Sequence, residues 1–330
     1  MLQSGGATKG VALFDIRRAW SLIREVDLDW LRDGIERPVK TVVAGAPTLQ
    51  RDAVLAMLDG HQVVGVADLP ISPEDQSILD TADLVLLVTE RMQLSVAERA
   101  LVDGLGRMSV AWATVVGRRG VGAGLGAIAV HDDMKDTLDV DLDRPLHAEA
   151  RIADLIFRLL GARSLSLGRS ASRLREPLAE RIIGETSAAN AQFALQSSLV
   201  SLIPVVGGVT AVTSDMLVLT KNQAMMVYKL AGLYGRDVSN WQALAIEIAP
   251  VIGSAFLWRS IARSVVGLIP AAASAVPKTA IAYTGTVAVG EIARRYYRDG
   301  LRPDGALIRD ARHHVVDRFR GNFAGARTAA

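Results

Sequence analysis

In the stretch VVAGAPTLQRD (42–52) an apolar run, KTVVAG, leads into Gly45. Counted from Gly45, the spacing G-x-x-x-x-G-K-[ST] falls on Gln50, Arg51 and Asp52. With glycine, lysine and a hydroxyl at those places, such a loop wraps a phosphate in backbone amides, reaches its oxygens with the ammonium and holds magnesium. Each of the three is replaced here. Gln50 puts a side chain where backbone must come close. Arg51 keeps a positive charge without lysine's compact reach. Asp52 sets a carboxylate where phosphate oxygens would lie, and Pro47 removes a backbone donor from the loop. The residue types predict a strand-to-helix turn of the phosphate-binding kind that no longer grips phosphate in the usual way.

Other chemistry-bearing groups are weaker. Gly122, Gly124 and Ala127 match G-x-G-x-x-A after a strand, but such a dinucleotide fingerprint opens the first βα unit; the expectation is a glycine-rich loop, beside which Arg118 and Arg119 could meet a phosphate or a lipid headgroup. In HDDMKDTLDVDLDR (131–144), Asp139, Asp141 and Asp143 have the first three spacings of a calcium loop, yet Arg144 stands at its glycine position and Ala150 at its bidentate acid. A solvated acidic loop is expected. His313 and His314 are adjacent and share no helix face, so no metal site is assigned. Asp215 and Glu247 are the acids most enclosed by apolar sequence; pairing with Lys221, Lys229 or a helix end is the plainer expectation than a proton or ion site. No nucleophile–base ordering is present, no catalytic residue is assigned, and no cofactor is expected.

The elements that would position these residues follow from pattern. The chain has 330 residues, half of them hydrophobic and only 5% aromatic, with a formal net charge of +2 and no cysteine. So small a charge excess argues against nucleic acid, and the absence of thiols excludes disulfides and thiolate metal sites. MLQSGGATKG lacks an apolar core, so no cleaved signal peptide is expected. Residues 1–37 read as a tail and an amphipathic lead-in helix, with Leu13, Ile16, Trp20, Ile23, Val26 and Trp30 at helical spacing and a stop before Pro38. Across 38–162, apolar runs at 42–44, 63–66, 84–88 and 110–116 alternate with helical patterns at 51–59, 73–80, 94–106 and 148–160. That alternation predicts an α/β doubly wound parallel sheet. Residues 163–179, serine-rich and basic, read as a linker. Residues 180–300 read as an all-α hydrophobic domain of two helical hairpins, roughly 180–203 with 209–233 and 239–266 with 277–298, each turning at an Ile-Pro. Residues 301–330 form a basic tail.

Thr186–Ser214 holds 29 residues without a charge, and Ser264–Gly290 holds 27 with only Lys278. Both are long enough to span a bilayer by count, but Pro204, Pro270 and Pro277 interrupt them. A buried hairpin or a membrane wedge is expected rather than a straight span. Asp215, Asn222 and Lys229, seven apart, form a polar stripe that faces other helices, a cavity or water. Arg259, Arg263, Arg294, Arg295 and Arg298 bracket the second hairpin and suit anionic headgroups, or an ordinary solvated helix end.

The order strand, phosphate-type loop, helix, strand, TADLVLLVTE (81–90), helix, strand resembles small GTPase-like domains of the Era/TrmE-like branch. Ile203, Pro204, Asp215, Leu219, Gln223, Met226, Leu230, Ala231, Tyr234 and Gly235 resemble the phrase shared by YcjF and EcsC-type helical domains, which occur beside GTPase domains and are described as membrane-associated. The resemblance implies a P-loop-like fold over the α/β half. Its further nucleotide motifs have lapsed: Asp68 would open D-x-x-G, but Ile71 fills the glycine place, and Gly117, Arg118, Arg119 and Gly120 stand where N-K-x-D belongs. The expectation is therefore a membrane-associated pseudo-GTPase adaptor facing the cytoplasm, with membrane lipid and a protein partner or a second copy as its contacts. Two alternatives stand beside it: a nucleotide enzyme working through Arg51 and Arg118, and a soluble oligomerising scaffold in the cytoplasm.

Overall fold

The computed structural model describes residues 28–59, 64–90, 93–118, 136–200, 209–240, 244 and 275–300, with backbone alone at 198–200, 209–217 and 275–278. The lead-in segment before residue 28, the Gly122–Ala127 loop, Pro204, Glu247, Arg259, Arg263, Pro270, the 239–266 helix except for residues 239, 240 and 244, and the 301–330 tail with His313 and His314 lie outside the described residues. The chain divides into an α/β unit, 29–178, and a second unit that includes 179–330.

In the α/β unit, α1 (Asp29–Glu36) precedes β1 (Thr41–Ala44), α2 (Leu49–Met57), β2 (Val64–Ala67), α3 (Pro73–Leu79), β3 (Leu84–Thr89), α4 (Val96–Leu105), β4 (Ala111–Arg118), β5 (Thr137–Asp141) and α5 (Pro145–Leu160). The strands form one parallel sheet in the order β2-β1-β3-β4-β5. Every residue of β1 and β3 is buried, which is why TVVA and LVLLVT read as continuous apolar runs: helices cover both faces. Val42, Ala44, Ala67, Val85 and Leu87 meet Leu79 of α3 and Leu101, Val102 and Leu105 of α4 in one core. The residues between them, Val43, Leu84, Leu86 and Val88, point the other way and are buried too; α2 and α5 pack on the sheet without joining the first core.

Local chemistry starts the helices where the strands end. Ser72 and Asp75 form a reciprocal capping box on α3, and Ser95 and Glu98 do the same on α4. Thr48 caps α2 by accepting from the Arg51 amide. At the opposite end of the sheet Asp83 accepts from the Lys40 amide (2.9 Å) and pairs with Arg163 (2.9 Å). Burial pushes the Asp83 carboxyl up, but those donors outweigh it and hold it below the usual aspartate range.

Two expectations are corrected. The acidic segment contains a strand: in β5, Leu138 and Val140 are buried while Thr137, Asp139 and Asp141 are half-buried. The period-2 pattern was hidden by the density of aspartates. The 163–179 stretch is helical: α6 (Ser164–Ser170) follows a short 3-10 turn at Gly161–Arg163, and α7 runs Ser172–Val200. Its serines satisfy themselves on nearby carbonyls, Ser164 Oγ on Gly161 (2.6 Å) and Ser170 Oγ on Leu167 (3.0 Å), so a polar composition did not require solvent. Leu165, Leu167, Leu174 and Leu178 are fully buried.

The described part of the second unit is helical: the rest of α7, then α8 (Val209–Leu233) and α9 (Ala275–Asp299). Gly235, at φ +87°, ends α8 as its position after YKLAGLY predicts. A Cβ on Gly290 would lie 2.7 Å from Ile183 Cγ1, so α9 and α7 meet at a glycine. Between the helices lies a layer of polar side chains: Asn190 donates to Thr286 Oγ1 (2.9 Å), Gln223 donates to the same oxygen (3.1 Å), and Asn222 donates to Asn190 Oδ1 (2.7 Å). Asn222 therefore serves helix pairing rather than a stripe facing away; Lys229 is half-buried, and the Asp215 side chain lies outside the described residues. No helix among the described residues is long and apolar enough to cross a membrane.

Near the end of α9, Glu291 is buried and takes Arg294 in two contacts of 2.8 and 2.9 Å and Arg295 Nε at 2.8 Å. Burial pushes its carboxyl up, but the two guanidinium groups prevail and lower it from the usual 4.5 to about 2. Because the folded value is depressed, the unfolded chain takes the proton more readily. This stabilisation, on the order of 3 kcal/mol, is complete above about pH 4.5 and drains away as pH falls toward 2. Helical circular dichroism in urea should show an acid-side loss of stability across that window, and Glu291→Gln should flatten it.

Candidate functional site

In this strand order the chain turns left from β1 to β2 and then runs right from β3, so the switch point of the sheet lies between the ends of β1 and β3. Gly45 stands there. Its amide donates to the Ala67 carbonyl (3.1 Å) and its φ is +145°. A Cβ at Gly45 would lie 2.4 Å from the Val88 carbonyl oxygen, so only glycine lets β1 leave the sheet past β3.

Arg51 is the third residue of α2, and its side chain is only 9% exposed. The guanidinium turns back beneath the loop: Nη1 donates to the Gly45 carbonyl (2.8 Å) and pairs with Asp68 at the end of β2. Asp68 itself is 66% exposed. The residues at the lysine and D-x-x-G positions are thus brought together, because β1 and β2 are neighbours. Arg51 Nε is buried without a protein partner.

The remaining positions have been put to structural use. Gln50 lies along β4: its Cβ and Cγ are 3.0 and 3.1 Å from where a Cβ on Gly117 would stand. Asp52 is exposed in the first turn of α2, where a carboxylate suits the positive end of the helix dipole. Ile71 packs on the sheet core. Arg118 pairs with Asp139 on β5, and Asp141 Oδ1 accepts from the Asp143 amide (3.0 Å); Arg119 and Gly120 lie outside the described residues. Among the described residues no cluster of three metal-ligating side chains occurs.

The site is a cation already neutralised from within, bordered by two exposed carboxylates. Among the described residues it brings together no base–nucleophile pair. Sequence reasoning found Gly45, Arg51 and Asp68 but not the pairing of the last two, since their separation of 17 positions carries no local signal. It also missed the Asn190–Thr286 layer, although polar residues in otherwise uncharged helical stretches were a usable sign. Arg294 and Arg295 are taken by Glu291, and Arg298 pairs with Asp299 (2.7 Å), so these three flanking arginines spend charge within the protein. No protein-family model matches the chain, and no curated protein matches it.

Asp68→Asn should strand a buried guanidinium and lower the unfolding free energy by about 1–3 kcal/mol. The double change Arg51→Met with Asp68→Asn should recover most of that loss, as urea-unfolding midpoints of the single and double variants would show. Gly45→Ala should be more damaging than either, because its methyl meets backbone rather than a side chain.

Proposed function

We propose that this chain is an adaptor built on a GTPase-derived α/β domain that neither binds nor hydrolyses GTP in the usual way, joined to a hydrophobic helical domain that associates with the cytoplasmic face of the membrane. The observation that carries the first half is the capture of Arg51 by the Gly45 carbonyl and Asp68. In a working site the loop cation and the acid at the end of the neighbouring strand are bridged by phosphate and magnesium; here they neutralise each other directly. The sheet order supports the descent, since it sets β2 and Asp68 beside β1 and its loop. The occupied state of Arg51 and Arg118 speaks against an enzyme that works through both.

The membrane half rests on the uncharged stretches and on exposed apolar side chains of the helical unit, Leu195 of α7 and Val218 of α8. With no spanning helix among the described residues, attachment at the surface is the form proposed. A second reading, an oligomerising scaffold whose apolar helices meet across subunits, is favoured by the same exposed residues and by the polar layer that ties α7, α8 and α9 to one another.

Titration calorimetry with GTP or ATP and magnesium should give no heat of binding; micromolar affinity that vanishes in Arg51→Ala would overturn the pseudo-enzyme reading. After detergent-free lysis the chain should sediment with membranes. Recovery in the supernatant as a defined oligomer would replace the membrane half with the scaffold.

A further inference from the structure

Away from Arg51, on the core face covered by α3 and α4, a groove of about 490 Å³ opens between those two helices. Its floor is made of buried Leu79, Leu101 and Leu105. Ala97, Ala100 and Gly104 line the α4 side, and nothing lies within 4 Å of where a Cβ on Gly104 would be. Short side chains therefore leave room for atoms from outside the domain.

The two walls are polarised along their length. Both helices return along a parallel sheet, so they run the same way. At their N-terminal ends the walls are apolar: Pro70 and Ile71 on one side, Ala97 on the other. At their C-terminal ends each wall carries one charge, Asp80 beyond α3 and Arg107 beyond α4. Both are exposed, and Arg107 has no ion partner among the described residues.

We infer that this groove is a self-association surface whose occupant is a second copy of the chain, related by a two-fold axis running along the groove. Such an axis keeps levels and exchanges walls. Asp80 of each copy then faces Arg107 of the other, giving two opposite-charge pairs, and the apolar ends of the walls meet each other over the small residues of α4. An axis across the groove would instead set charges against the apolar end. The inference concerns the α/β unit alone and holds whether or not the chain binds nucleotide or membrane.

Charge reversal separates this from every other occupant. Sedimentation equilibrium or native mass spectrometry of the full chain, in mild detergent if it requires one, should show a dimer. Asp80→Arg and Arg107→Asp each place like charges at both contacts, so each alone should weaken dimerisation about tenfold or more. An equimolar mixture of the two variants restores opposite charges at both contacts and should form a heterodimer close to wild-type strength. Circular dichroism of the exposed-site variants should match wild type, which removes misfolding as a cause. A monomeric wild type, an oligomer indifferent to both reversals, or single variants that weaken without recovery on mixing would each overturn the inference; the first would leave the groove to a different protein.

Discussion

A buried guanidinium has to be neutralised and hydrogen-bonded where it lies, and in this protein that requirement ties the α/β unit together at its carboxyl end. Arg51 enters from the first turn of α2, takes the carbonyl that closes β1 and pairs with the acid that closes β2. Three elements that a bound ligand would otherwise have to hold are held by one side chain. Gly45 permits the arrangement, because the carbonyl it offers can reach Arg51 only if the chain passes close under Val88. Around this contact Gln50, Ile71 and Arg118 each pack or pair within the protein.

The helical unit meets the same demand with neutral groups. Thr286 accepts from two amides and returns its own hydrogen to the Ala282 carbonyl (2.7 Å), so three helices share one saturated oxygen. In an apolar interior a polar group left without its partner is costly, so this layer disfavours helix registers that would break it. Glu291 is the charged counterpart. Its two arginines compensate its desolvation from one turn further along the same helix.

Much of the α/β unit was legible because its signals are local. The runs VVA and LVLLV, the helical patterns between them, and Pro38 after α1 each act within a few residues. β5 was not legible, since the aspartates in and around it masked the two apolar residues that face the core. The helices of 163–179 were hidden for a related reason: serine hydroxyls bond the preceding turn, and composition does not reveal where a hydroxyl finds its partner. At the site, residue types singled out Gly45, Arg51 and Asp68, but how they meet depended on strands that neighbour one another across the sheet. Asp68 was noted as a relic; its present role is as counter-ion to Arg51.

The ends of the sheet have a consequence for how copies of this chain meet. A parallel sheet with a free margin is a template on which further strands can grow. Here one margin, β2, is only four residues long, and the other, β5, carries Asp139 and Asp141 along its length, with Arg118 held against the first of them. A short strand offers few backbone partners, and carboxylates on an incoming identical strand would repel those already present. Strand-by-strand growth into fibres is therefore discouraged at both margins, and contact between molecules is left to helix surfaces, where it can close on itself and stop.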